Sequence, residues 1–194
     1  MLVALAGLCT SAHAAMIAIA GSSASVEFTP LYASENTHDG LILETGDPTI
    51  TYWMSNNGSG SIVYALDLTG AALGWTVDQF DLLNTKNRFF NDSATGTFTI
   101  QVSTDNGLSF GAPLVSSSLQ HYDLGFQTES SFTSVAGVTH VRFAATAALP
   151  GKARSGLNEF QVFGTATAVP EPTTTLLLVA GVVGMGWIGR HRLR

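Results

Sequence analysis

The chain has 194 residues, a formal net charge of −6, 45% hydrophobic residues and only 11% charged ones. Three of its 8 basic residues, Arg190, Arg192 and Arg194, fall among the last 26, where Glu171 is the one acid, so the remainder holds 5 basic and 13 acidic residues and is near −8. That balance argues against nucleic acid or anionic lipid as partners, since both demand a net basic surface, and the length leaves room for one domain.

The first 8 residues form an apolar run, followed by Cys9, Thr10, Ser11 and then Ala12-His13-Ala14-Ala15, which predicts signal-peptide cleavage after Ala14. No Lys or Arg precedes the run, so the chain is expected to begin inside its own signal peptide; an N-terminal strand of the domain is the alternative. Cys9, the one cysteine, lacks the pattern of a lipoprotein cysteine and lies in the segment to be removed. The mature domain, residues 15–168, would then have no disulfide, thiolate metal site or cysteine nucleophile.

Within that domain, short strands separated by Gly, Asn, Ser and Asp are predicted. Residues 25–29 read as a first strand, and residues 61–68 alternate with Ile62, Tyr64, Leu66 and Leu68 on one face. Residues 97–103 place Phe98, Ile100 and Val102 inward, and Asn106-Gly107 follows as a hairpin turn. Residues 138–145 set Thr139, Val141 and Phe143 against His140, Arg142 and Ala144, and residues 158–164 form a closing strand. No helical period precedes the tail. The pattern predicts an all-β, antiparallel sandwich.

The tail, residues 169–194, opens with Val169-Pro170-Glu171-Pro172 and three threonines, continues apolar to Gly189 and ends Arg190-His191-Arg192-Leu193-Arg194. The prolines fix φ and remove backbone donors, so no strand or helix continues through them. The uncharged residues 173–189 would span roughly 25 Å as a helix, the short end for crossing a bilayer, with the arginines at the cytoplasmic face. The alternative, a buried C-terminal helix, has to carry Gly181, Gly184, Gly186 and Gly189, all poor helix formers. The three parts in this order resemble the PEP-CTERM sorting signal of Gram-negative bacteria. The resemblance implies export, processing near the motif by an exosortase, membrane attachment through the tail helix before processing, and then a place at the cell surface or in an extracellular polysaccharide or biofilm matrix.

A second resemblance covers roughly residues 27–164. The run Leu82-Leu83-Asn84-Thr85, the polar loop to Asp92 and the strand ending Ser103-Thr104-Asp105-Asn106-Gly107 resemble the discoidin (coagulation-factor C-domain) family. Tyr64-Ala65-Leu66-Asp67-Leu68, the pair of strands around Val141-Arg142-Phe143 and 158–164, and His38-Asp39-Gly40 followed by Thr51-Tyr52-Trp53 fit its order. The sequence departs from the family in the insertion of Thr69, in a long 39–51 loop and in lacking the stapling cysteines. The resemblance implies an eight-stranded jelly-roll β-sandwich of the galactose-binding type.

Two constellations carry chemistry. The resemblance places a structural calcium ion on the carboxylates of Asp39 and Glu159, a backbone carbonyl of Asn36 and an oxygen of Thr51, with Asp47 as a substitute, oxygen donors that suit a hard cation. The alternative makes Asp39-Gly40 a turn and Glu159 an exposed strand residue. A glycan would be held by an aromatic face and hydrogen-bonding groups on end loops. The candidates are Arg88, Phe89, Phe90, His121, Tyr122, Lys152 and Arg154, and the alternative has Phe89, Phe90 and Tyr122 closing the core. Exposed apolar spikes of the kind that enter membranes are not evident. G-x-S-x-G, H-E-x-x-H and a phosphate-binding glycine loop are absent, and His38, His121 and His140 lack metal-ligand spacing. The expectation is an exported, non-catalytic carbohydrate-binding or adhesion module, with a structural or protein-binding surface protein as the alternative.

Overall fold

The computed structural model describes residues 14–42 and 50–168. The candidate signal segment, Asp47, and the sorting motif and apolar tail from Val169 onward lie outside the described residues. Twelve strands are described: β1 (Ala15–Ile17), β2 (Ile19–Ala24), β3 (Trp53–Met54), β4 (Gly60–Leu66), β5 (Trp75–Leu83), β6 (Thr95–Ser103), β7 (Val115–Ser118), β8 (Gln127–Glu129), β9 (Val135–Val138), β10 (His140–Ala148), β11 (Gly156–Leu157) and β12 (Glu159–Ala166). One sheet is ordered β1-β12-β5-β8, with β9 also paired to β5; the second is β2-β4-β10-β6-β7, and β11 pairs β3 in a short ribbon. The strand ladders are antiparallel. The architecture is thus the all-β sandwich expected, with two five-stranded sheets in place of an eight-stranded roll. Among the described residues no helix is long and apolar enough to cross a membrane.

Period-2 alternation builds the core. Ile62, Tyr64 and Leu66 of β4, Phe98 and Ile100 of β6, and Val141 and Phe143 of β10 are buried from the second sheet; Val77, Phe80 and Leu82 of β5 and Phe160 and Val162 of β12 meet them from the first. Phe160 is the junction. Its ring stacks on Tyr64 at 4.6 Å and 4°, and lies 5.8 Å from Phe80 and 6.2 Å from Phe143. Tyr64 and Phe143 come from the opposite sheet, so the stack crosses the sandwich. The buried Tyr64 hydroxyl is matched with Thr37 Oγ1 at 2.8 Å, which ties the segment before β3 to the core.

Two predicted boundaries shift. Residues 25–29 are not a strand, because β2 already ends at Ala24. Their polar groups are committed elsewhere: Glu27 Oε1 accepts from Ser34 N, Val26 O accepts from the Trp53 indole, and Phe28 N donates to Met54 O. Leu68 leaves the β4 face because Asp67 Oδ1 accepts from Thr69 N, turning the chain one residue after the strand. The Asn106-Gly107 turn forms as expected, with φ of 60° and 80° at its two residues. His140 is half-buried, with Nδ1 3.1 Å from Thr139 Oγ1.

Register sorts the loops into two ends. Glu159 pairs Leu83, Ala148 pairs Thr95, Ala145 pairs Gly60, Ser118 pairs Thr97 and Gln127 pairs Leu82. Segments 25–42, 50–59, 84–94, 119–126 and 149–158 therefore share one end. The 67–74 and 104–114 connections occupy the other. There Ala166 pairs Trp75 and Thr167 N donates to Gly74 O, so the chain leaves toward residue 169 opposite the long loops.

Because Phe160 touches aromatic rings from both sheets, Phe160→Ala is expected to cost about 3–5 kcal/mol. Phe89→Ala, on the loop end, should stay within about 0.5 kcal/mol. Urea denaturation of the two variants measures the difference.

Candidate functional site

A buried polar layer supports the end that gathers the long loops. Asn84 spans three segments: its amide donates to Thr95 O at 2.8 Å and Gln120 O at 2.9 Å, while its Oδ1 accepts from Thr85 N and Thr95 N. Thr95 Oγ1 donates to Gly156 O at 2.7 Å. Above it, the Tyr52 hydroxyl donates to Asn87 Oδ1 at 2.6 Å and the Asn87 amide donates to Asp92. These groups are satisfied locally and leave little freedom to the 86–93 loop.

That loop holds a strained backbone. Asn87, Arg88 and Asn91 have φ of 56°, 55° and 50°, the left-handed region that Asn tolerates and Arg enters at a cost. The result is an exposed aromatic pair. Phe89 is 81% and Phe90 62% exposed, their ring centroids 4.3 Å apart. The alternative that these rings close the core is overturned, and so is the expectation that no apolar spike stands out.

Cations flank the pair. Lys152 Nζ donates to both Asn91 O and Asn91 Oδ1 at 2.7 Å. The Arg154 guanidinium lies 4.3 Å over the Phe28 ring, with Nη1 3.5 Å from Asp92 Oδ2. On the neighbouring turn, Lys86 Nζ is 2.9 Å from Asp123 Oδ1 and 4.9 Å from the Tyr122 ring centre. Tyr122 donates to Ile42 O at 2.9 Å, and His121 Nδ1 accepts from Asp123 N at 3.4 Å. Phe89, Phe90, Lys152 and Arg154 are thus brought onto one rim, with His121 and Tyr122 on the adjoining turn, while Arg88 shares the loop but is half-buried with its Nε out of solvent. Sequence reasoning missed Phe28 and Tyr52, which brace this rim from a distant segment and carry no local signal of it.

The second constellation is a cavity of about 340 Å³ between β1, β12 and the 38–40 turn, lined among others by Met16, Ile17, His38, Asp39, Glu159 and Gln161. Glu159 is 3% exposed, which corrects its reading as an exposed strand residue. Gly40 N–H and the Gln161 side chain hydrogen-bond its carboxylate. Its Oε2 is buried without a partner. Burial, and then the charge of Asp39, push its carboxyl up to about 7. His38, with Nε2 3.0 Å from Ser22 Oγ, is lowered chiefly by burial.

Asn36 and Thr51 do not line this cavity: the Asn36 amide donates to Leu31 O and Tyr52 O, and Thr51 is buried. Among the described residues no group of three or more His, Cys, Asp or Glu side chains gathers as metal ligands. A buried carboxylate oxygen with no partner, facing a second carboxylate, nevertheless has the donor chemistry that a hard dication neutralises.

No protein-family model matches the chain, and no curated protein matches it in sequence. Solved structures do match in fold. The CBM32 module of AlyQ in complex with 4,5-unsaturated mannuronic acid superposes with a TM-score of 0.56 at 20% identity, over 77% of this chain and 98% of that one. This chain also spans 36% of a longer truncated AlyQ that has CBM32 and alginate lyase domains. A pectin-binding carbohydrate-binding module gives 0.57 at 18% identity, over 79% and 96%. An F5/8 type C domain from Bacteroides fragilis gives 0.55 at 13% identity, over 75% and 91%. The sandwich therefore has the fold of family 32 carbohydrate-binding modules and discoidin-like domains.

The raised Glu159 group sets a pH dependence. In cation-free protein the folded state keeps this proton up to about pH 7, whereas the unfolded chain releases it near the ordinary 4.5. Its contribution is therefore greatest below pH 4.5, falls as pH rises to about 7, and is flat above. Melting with a chelator across pH 5–8 should show that decline, and Glu159→Gln should flatten it.

Proposed function

We propose that the chain is an exported, non-catalytic carbohydrate-binding or adhesion module that engages a glycan through the long-loop end and is associated with extracellular polysaccharide or a biofilm matrix. The observation that carries this is the exposed Phe89–Phe90 pair, held in a strained loop beside Lys152 and Arg154. Aromatic faces pack on the C–H face of a sugar ring, and the adjoining cations bind its oxygens. The fold shared with carbohydrate-binding modules supports the same reading, although fold alone does not set a ligand. Asp92 and Asp123, the carboxylates of this rim, are engaged with Arg154 and Lys86, an arrangement for holding loops rather than for acid–base chemistry.

Calcium is part of this proposal. Asp39 and Glu159, the two expected ligands that line the cavity, would hold it, and it would supply charge neutralisation that ties the 34–42 segment to β12. The Val169-Pro170-Glu171-Pro172 motif, apolar run and basic end support exosortase-linked sorting and a transient membrane anchor in a Gram-negative envelope. Since the described chain leaves at the opposite end, attachment through the tail displays the glycan loops outward.

The test is binding of the full chain to a glycan panel and to the producer's own exopolysaccharide, with calcium and with a chelator. Saturable binding that weakens about tenfold in Phe89→Ala, roughly 1.4 kcal/mol, is expected. Glu159→Gln should abolish any calcium-induced rise in Tm. A folded chain that binds no glycan in either condition contradicts the proposal and favours a structural or protein-binding role.

A further inference from the structure

The basic residues of this domain are gathered in one place, although acids are spread over both ends. Outside the tail the sequence has 5 basic residues against 13 acidic ones. Four of the five, Lys86, Arg88, Lys152 and Arg154, lie in the 84–94 and 149–158 loops, which are joined by the Lys152–Asn91 and Arg154–Asp92 contacts. The fifth, Arg142, sits on the outer face of β10, fixed to Gln101 Oε1 at 2.6 Å and over Phe110 at 4.4 Å. An acidic domain that places four of its five cations in the two loops around one exposed aromatic pair concentrates there what affinity it has for anions.

The pairing of these cations sharpens the chemistry. Asp92 and Asp123 face Arg154 and Lys86, while Lys152 bonds to the neutral acceptors of Asn91 and so keeps its charge. Arg154 Nε is buried without a hydrogen-bond partner, and its guanidinium plane is set by the Phe28 ring. The buried Nε is closed to a ligand, so Arg154 would meet a carboxylate through its terminal nitrogens, one of which already lies 3.5 Å from Asp92, while the Lys152 ammonium suits one as a point charge. A neutral sugar would use the aromatic pair and could accept hydrogen bonds from these cations, but would not draw on the uncompensated charge of Lys152. An amino sugar would meet like charge, because the rim's two carboxylates are already engaged.

We infer that the ligand of this rim is an anionic polysaccharide of the uronic-acid class, its sugar faces on Phe89 and Phe90 and its carboxylates at Lys152 and Arg154. This rests on the carbohydrate-binding reading above and names its substrate class. Two further consequences follow from the arrangement. Affinity should fall with salt, since Lys152 and Arg154 are half-buried at the surface and open to screening. The aromatic contribution should persist at high salt, because it is not Coulombic.

The experiment is calorimetric titration of the full chain, without calcium so that the probe itself is not cross-linked, against three probes of equal length. These are an oligogalacturonate, the same oligomer with its carboxyl groups reduced to alcohols, and a chitooligosaccharide. The expected result is tenfold or tighter binding of the uronate than of its reduced form at low salt. That preference should fall severalfold in Lys152→Gln and in Arg154→Gln, with Arg154→Lys, which keeps the charge but not the planar fork, in between. Phe89→Ala should weaken uronate binding at every salt concentration.

Equal binding of the reduced oligomer, or preference for the chitooligosaccharide, overturns the inference and leaves the carbohydrate-binding reading standing. Inorganic polyphosphate binding as tightly as the uronate, with no effect of Phe89→Ala, also overturns it, by showing a site for any polyanion. Failure to bind any glycan, from a chain whose melting is intact, overturns both.

Discussion

The stacking of Phe160 on Tyr64 is the contact on which the rest of the molecule depends. It joins the last strand of one sheet to the second sheet, and Phe80 and Phe143 close on the same ring. It also sets position beyond the core. Tyr64 fastens Thr37 through its hydroxyl, which fixes the segment leading to Asp39, and Phe160 fixes its neighbour Glu159 at the mouth of the cavity. Two carboxylates that would repel one another in a looser chain are thereby held together. The price is visible in the raised Glu159 group and its unpartnered oxygen.

The same strand orders the loop end. Because Glu159 pairs Leu83, the start of β12 lies beside the exit of β5, and the 84–94 loop begins there. Beneath that loop a layer of Asn and Thr side chains satisfies backbone groups that would otherwise be stranded in the interior. A rigid base of this kind can keep Arg88 in a left-handed conformation and two phenylalanines in water. The first costs backbone strain and the second leaves apolar area in water, and the base beneath offsets both.

Much of the framework was legible in the sequence wherever alternation is strict. Phe98, Ile100 and Val102 on β6 and Val141 and Phe143 on β10 read inward by period alone, and Asn106-Gly107 read as its turn. β5 was not singled out, and its register explains why. A bulge opposite Phe163 and Gly164 makes its buried positions Val77, Phe80 and Leu82, a spacing of three and then two that fits no period-2 template. Residues 25–29 alternate well enough for a strand, but backbone and carboxylate bonds to Ser34, Trp53 and Met54 hold them in another path.

The site was legible as residue types but not as an arrangement. Arg88, Phe89, Phe90, Lys152 and Arg154 were identifiable as polar-loop residues, yet whether the rings faced water depended on the fold. Phe28 under Arg154 and Tyr52 under Asn87 are contacts between distant segments, and only the sandwich brings them together. The burial of Glu159 was likewise hidden, because it opens β12 directly before Phe160 and both are buried in succession.

The most direct test of the account is mapping of amide chemical-shift changes on the folded domain as a glycan ligand is added. The account predicts changes concentrated at residues 86–92 and 150–154, with Phe89 and Phe90 among the largest, and none at the Asn106-Gly107 turn. Changes centred on that opposite end, or spread over the outer sheet faces while the long loops stay unmoved, would contradict it.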